Sequence, residues 1–361
     1  MGRVGSFRAR TRAGARGALA GALLVVLTLG VLLTSPTSTA AADEPDPSVP
    51  LKVLVVGDSI SHGFAGDSTW RYWFWRETRR QGVPIDFVGP DRLPYLGPNA
   101  RYEKPGLYFD RDHAARGGST VNYHLARIDD LMETYAPQVV VVEIGINDLA
   151  HGDTAVGVVA ETETLLARVW QHAATARVVL AELPSFPADA AVEAQTVLAN
   201  KELAVRYGAD PRVLLAKNRS GTSPRWQTAQ MTSDGLHPNA TGQTLLAQRF
   251  AEAFHRGGYL PQPPSLYRVR SWQPGVAPRV RRSGQRLTVD WSASLAEVKL
   301  ASVRVLITRP NGTRLRGKTW FSAGVGRIHR TLPRGTWYVR LVPVRGTMQG
   351  VPVPATVVRI P

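Results

Sequence analysis

In "VLVVGDSISHG", Val53 to Gly63, a run of β-branched residues ends in Gly57-Asp58-Ser59. A serine on a strand-to-helix turn can act as a nucleophile once a base takes its proton. The same three residue types also build ordinary polar turns. Three further fragments follow in order: "RGGST" with Gly117 and Gly118, "EIGINDL" with Gly145, Asn147 and Asp148, and "SDGLHP" with Asp234 and His237. Together they offer a hydroxyl, an imidazole, a carboxylate and amide donors, the groups that acyl transfer through a tetrahedral centre requires.

Those groups need a scaffold that brings them together. From Leu51 onward, short apolar runs alternate with longer amphipathic segments. Leu51–Val56, Ile85–Val88, Gln138–Ile144, Ala176–Ala181 and Val213–Ala216 read as strands. They are nearly continuous in Val, Ile and Leu, which suits a parallel sheet covered on both faces. Thr69–Gln81, Tyr123–Tyr135, Ala155–Ala173, Ala188–Tyr207 and Ala240–Phe254 read as helices. The alternation predicts a doubly wound α/β domain. In such sheets, sites form at the carboxyl ends of the strands. Ser59 and Asn147 each follow a predicted strand and so share that rim, and His237 lies at a loop-to-helix junction that can reach it.

The four blocks, in this order across roughly residues 51–257, resemble the Ser-Gly-Asn-His hydrolases, also called the GDSL lipase/esterase superfamily. The resemblance implies a three-layer α/β/α sandwich with a five-stranded parallel sheet, a flavodoxin-like arrangement, and a serine esterase activity. It also implies roles. Ser59 matches the nucleophile, and His237 the base that later protonates the leaving alcohol. Asp234 matches the acid that fixes the His237 tautomer. The oxyanion hole would comprise the Ser59 N–H, a glycine N–H of "RGGST" and the Asn147 side-chain amide. Aligning "HAARGGSTV" with the family shape favours Gly118, with Gly117 the alternative, although Ala115 stands where a glycine is common. No cofactor is required by this chemistry. No metal site is expected, because His62, His113, His124 and His151 lack partners at ligand spacing. Asp58 reads as bonding its own turn, Asp148 as bracing the Asn147 loop, and Glu143 and Glu182 as satisfied strand-end carboxylates. The aromatic stripe Trp70, Tyr72, Trp73, Phe74 and Trp75 reads as helix core in preference to a sugar site.

"STWRYWFWRETRRQGVPIDFVGPDR", Ser68 to Arg92, resembles the segment after the nucleophile in family 3 carbohydrate esterases, which include acetylxylan esterases. Ile85–Gly89 matches their "VDFVG" ending, and "ARIDDLM", Ala126 to Met132, fits as well. The implied substrate is a small-acyl ester, an acetylated polysaccharide foremost. A lysophospholipase or short-chain lipase of the same superfamily is the alternative, and no continuous apolar lid stands in the sequence for a long acyl chain.

The chain has 361 residues, 43% of them hydrophobic, enough for about two domains. Five arginines precede an apolar run from Ala18 to Leu33, and small residues follow to Ala42. This is the layout of a signal peptide over 1–42, giving a secreted protein, with a retained membrane anchor as the rival reading. A spacer, 43–50, leads to the hydrolase domain, 51–260. With no cysteine in the chain, disulfides and thiol chemistry are excluded. A Pro-rich linker, 261–266, ends the helical pattern. Beyond it, "QRLTVDW", "VRVLITR" and "TWYVRLVPV" alternate as half-buried strands do. Residues 267–361 are expected to form an antiparallel β-sandwich resembling fibronectin type III domains, on the strength of Trp291 and the "Y-x-V" strand. Charge separates the regions: 43–267 carry net −5 and 268–361 net +16. The basic part suggests an anionic cell-wall polymer as partner, and a surface-binding protein with minor hydrolysis is the reading of another class. Nucleic acid is not expected, and the sequence does not set the oligomeric state.

Overall fold

Five strands, β1 (Leu51–Gly57), β2 (Ile85–Val88), β3 (Val139–Glu143), β4 (Arg177–Ala181) and β5 (Val213–Ala216), form a parallel sheet in the order β2-β1-β3-β4-β5. Val55 pairs with Val141, Val141 with Val179 and Val179 with Leu214. The computed structural model describes residues 49–95, 102, 109–269, 276, 278–294, 302–345 and 348–361. The expected signal peptide and most of the spacer lie outside the described residues.

Nine helices are described: α1 (Ser59–His62), α2 (Trp70–Arg80), α3 (Val121–Leu125), α4 (Ile128–Tyr135), α5 (Ile146–Ala150), α6 (Ala155–His172), α7 (Ala190–Tyr207), α8 (Thr228–Met231) and α9 (Ala240–Arg256). Successive side chains of a strand face opposite ways, and both faces here are covered. Val53, Val55, Val139, Val141 and Val179 pack against Trp70 and Phe74 of α2 and Phe250 and Phe254 of α9. Leu54, Val56, Val140, Val142 and Val178 pack against Ile128, Leu131, Leu165, Val169 and Leu203 on the other side. This explains the unbroken apolar runs and makes the three layers. The α2 aromatics are chiefly core: Trp70 stacks on Phe250 at 4.1 Å, and Phe74 meets Phe254 at 4.7 Å.

The helix expected over Tyr123–Tyr135 is two helices. Arg127 leaves helical geometry (φ −128°, ψ −16°), and its carbonyl accepts from Leu131 N–H at 3.0 Å to start α4. The break lets α3 turn His124 inward, where its Nε2 lies 3.1 Å from the Gly57 carbonyl under the end of β1.

After Leu260 the chain is fastened along α2. The backbone N–H groups of Gln262 and Ser265 donate to Gln81 Oε1 and Glu77 Oε1, and the Tyr267 hydroxyl donates to Glu77 Oε2 at 3.1 Å. The C-terminal strands are β6 (Arg279–Ser283), β7 (Arg286–Asp290), β8 (Ser302–Thr308), β9 (Trp320–Ser322), β10 (Arg327–Thr331), β11 (Gly335–Arg345), β12 (Met348–Gln349) and β13 (Thr356–Ile360). They form two antiparallel sheets, β10-β7-β6 and β12-β11-β8-β9, with β13 also on β11. Leu287 and Val289 of one sheet share a core with Val305 and Leu341 of the other. Trp291 is fully buried there and donates Nε1–H to the Ala323 carbonyl at 2.9 Å.

Candidate active site

The turn after β1 is built for close approach. A Cβ on Gly57 would lie 2.7 Å from Ser61 Cβ and 2.9 Å from the Glu143 carbonyl, so only glycine lets α1 start where it does. Asp58 caps that helix by accepting the Ile60 N–H at 2.9 Å. Burial pushes the Asp58 carboxyl up to about 7. Ser59 is the first residue of α1, and its N–H has no partner among the described residues. Ser61, two residues further on and fully buried, donates to Glu143 Oε2 at 2.7 Å; burial and the nearby Asp58 hold the Glu143 carboxyl well above the usual range.

Ser59 Oγ lies 2.8 Å from His237 Nε2. The other ring nitrogen, Nδ1, lies 2.7 Å from Asp234 Oδ2. Asp234 Oδ1 accepts the backbone N–H groups of Leu236 (3.1 Å) and His237 (2.8 Å). Burial raises the Asp234 carboxyl, but the hydrogen bonds from the His237 side chain and from these two backbone groups outweigh it and leave it below its ordinary range. The loop carrying the histidine is tied down. Asn239 caps α9 with its oxygen, while its Nδ2 donates to the Gln230 and Thr232 carbonyls. Phe64 meets the His237 ring edge-on at 5.4 Å.

Asn147 Nδ2 donates to the Ser119 carbonyl at 2.9 Å, which leaves the second amide hydrogen for another acceptor. Asp148 braces the same region from the far side: its Oδ1 accepts the Val121 N–H at 3.0 Å, joining α5 to the start of α3. The two glycines of "RGGST" differ. Gly117 N–H donates to His62 Nδ1 at 2.9 Å. Gly118 has a left-handed φ of +76°, and its N–H has no partner among the described residues. Since His62 Nδ1 accepts, its proton sits on Nε2, which faces the Leu93 carbonyl at 3.1 Å. Burial and the nearby Arg71 lower the His62 ring, favouring this neutral form.

The structure brings Ser59, His237 and Asp234 into one hydrogen-bonded chain and ties Asn147, in the first turn of α5, to the turn of Gly118 through the Ser119 carbonyl. Glu182 accepts Arg219 N–H, Ser220 N–H and Ser220 Oγ–H, and so is a satisfied strand-end group. Among the described residues, no three His, Cys, Asp or Glu side chains are grouped to hold a metal. Two contributors have no obvious chemical signature in the sequence. His62 fixes the glycine loop. Arg71, fully buried, donates Nε–H to the Ser61 carbonyl at 3.0 Å and reaches the His62 carbonyl at 3.5 Å, clamping the C-terminal end of α1.

The arrangement supplies the groups that acyl transfer through a tetrahedral centre requires. The sequence model of the GDSL-like lipase/acylhydrolase family matches residues 55–245, and the chain belongs to that family. It is similar to a multidomain esterase of Ruminococcus flavefaciens, 25% identical over 143 residues, which cover 36% of this chain and 18% of that protein's length. Among solved structures it is similar to a Clostridium thermocellum family 3 carbohydrate esterase (22% identity, 58% of this chain and 96% of the other, TM-score 0.48). A family 3 carbohydrate esterase of Talaromyces cellulolyticus is comparable (24% identity, 57% and 97%, TM-score 0.47).

Proposed function

We propose that the protein is a secreted serine esterase that removes small acyl groups, acetyl foremost, from an acetylated polysaccharide. The reading is carried by the unbroken hydrogen-bonded chain Ser59–His237–Asp234, at 2.8 and 2.7 Å. His237 Nε2 takes the Ser59 hydroxyl proton as Oγ attacks the ester carbonyl carbon. The carbonyl oxygen becomes an oxyanion, met by the Ser59 N–H, the Gly118 N–H and the unused Asn147 amide hydrogen. Collapse expels the alcohol, which leaves with the proton from His237. Water then attacks the acyl-enzyme by the same route, releasing the acid and restoring Ser59. Asp234 holds the ring in the tautomer that leaves Nε2 unprotonated in the resting enzyme. Gly118 is the glycine donor in this scheme, since His62 already occupies Gly117.

The acyl and alcohol preferences have separate support. Beside the catalytic groups, a small recess of about 10 Å³ is lined by Ile60, Leu236 and Pro238 but also by Glu143, Glu182 and Asn218. A recess this small has no room for a long alkyl chain, so a short acyl group fits better. The carbohydrate preference rests on the Ser68–Arg92 and Ala126–Met132 resemblances. Export rests on the layout of residues 1–42. The boundaries 51–260, 261–266 and 267–361, and the fibronectin type III likeness of the last, rest on the sequence pattern together with the two-sheet core around Trp291. Purified protein assayed on acetylated xylan and on lysophosphatidylcholine is the test. Acetate release from xylan, lost in Ser59→Ala, is expected. Activity on the lipid alone would overturn the carbohydrate reading while leaving the nucleophile in place.

A further inference from the structure

The basic surface of the C-terminal sheets takes no part in ester chemistry. Residues 268–361 hold 16 Arg and 2 Lys against 2 acidic side chains. Among the described residues, β6 pairs only with β7 and β13 only with β11, so each strand leaves one edge unpaired there. A groove of about 480 Å³ runs between these edges. Val280 and Val358 turn from it into the sandwich core, and Arg281, Arg282 and Arg359 stand exposed along it.

Among the described residues no carboxylate lines this groove. Asp290, the one acidic side chain described in this region, is taken by Arg327 at 3.5 Å. The side chains of Arg281 and Arg359 make no hydrogen bond or ion pair among the described residues, and Arg282 has only a 3.4 Å bond to the Gly284 carbonyl. Arginines from both strands therefore line one concavity with no counter-ion among the described residues. Such an arrangement concentrates positive potential and attracts anions. Charged side chains do protect exposed strand edges from pairing, most often as lysines. Here they are arginines, whose planar fork grips a carboxylate through two parallel N–H···O bonds.

We propose that this groove binds an extended anionic polysaccharide, its uronate carboxylates held from the β6 side by Arg281 and Arg282 and from the β13 side by Arg359. Among the described residues no aromatic ring lines the groove to offer the stacking surface on which nucleic-acid bases are held. The surface would tether the protein to an acidic matrix, whatever ester the hydrolase cleaves.

The test is calorimetric titration of the full chain with polygalacturonate and with its neutral, fully methyl-esterified counterpart. Binding is expected only to the free acid, and it weakens as salt rises, because the contacts are exposed and screened. The double variant Arg281→Gln/Arg359→Gln loses about tenfold or more in affinity, the worth of two charge-assisted hydrogen-bonding groups. Arg314→Gln/Arg316→Gln, two exposed arginines outside the groove, leaves affinity within about twofold, as surface changes away from a site do. Equal binding of the neutral polymer would overturn the proposal. So would an equal loss in the control pair, which would mean diffuse charge without a site, or tighter binding of single-stranded DNA of matched length. Ester hydrolysis by each variant, measured alongside, stays at the parent value if the groove is separate from the chemistry.

Discussion

Replacing Asp234 by asparagine and by alanine separates two roles of its carboxylate, and the structure predicts an unusual order. The side chain is 53% exposed. In Asp234→Ala, water can therefore reach Nδ1 of His237 and accept its proton. What is lost is one charge-assisted hydrogen bond, worth about 1.5–3 kcal/mol, or roughly 10- to 150-fold in kcat. Asparagine is the nearer isostere but does worse. Its oxygen is held by the Leu236 and His237 N–H groups that Asp234 Oδ1 now accepts. Its NH2 then faces Nδ1 and forces that nitrogen to accept. The ring proton moves to Nε2 and points at Ser59, so the base is gone; a tautomer error of this kind costs about 10⁴-fold. Turning the amide over restores the ring bond only by setting its NH2 against two backbone donors. The assay is kcat on a soluble acetyl ester for wild type, Asp234→Ala and Asp234→Asn, with melting temperatures as a folding control. An asparagine variant as active as the alanine variant, or more so, would refute this account of the carboxylate.

Further expectations follow from the oxyanion donors and the buried acid. Asn147→Ala lowers kcat by about 10²–10³-fold with little change in KM; a loss confined to KM would remove Asn147 from the transition state. Folded Asp58 titrates at about 7 against an ordinary 3.8, so the folded state keeps a proton that the unfolded chain has released across that interval. Its contribution to stability is whole below about pH 4 and is lost as pH rises through about 7. Asp58→Asn keeps the cap on Ile60 and removes this titration. Thermal melts should show the variant gaining on wild type between pH 4 and pH 8, and a constant difference at both would count against the buried protonated acid.

The two-sided burial of the central sheet made its strands legible, because residues such as Val139 to Val142 have to be apolar on both faces. Ser59, Asn147, Asp234 and His237 were legible as separate blocks, since each carries its chemistry in its residue type. Pairing partners across the fold were not. Gly117 and Gly118 are identical in sequence, and what distinguishes their N–H groups is the His62 ring arriving from a residue 55 positions earlier. Arg71 and Glu77 gave no sign of clamping α1 and fastening residues 262–267, because such contacts depend on tertiary geometry. The helices α1, α5 and α8 have four or five residues each, too few to show a 3.6-residue period. The break at Ala126–Arg127 interrupts a segment whose apolar spacing continues through it, so the pattern alone suggests one helix.

The central claim is that the Ser59 hydroxyl is the nucleophile, poised by His237. Treating the protein with a fluorophosphonate and mapping the adduct by peptide mass spectrometry tests this most directly. A single phosphonyl adduct on Ser59, absent in Ser59→Ala and strongly slowed in His237→Ala, is the predicted result. An adduct on another residue, or full esterase activity surviving in Ser59→Ala, would contradict it.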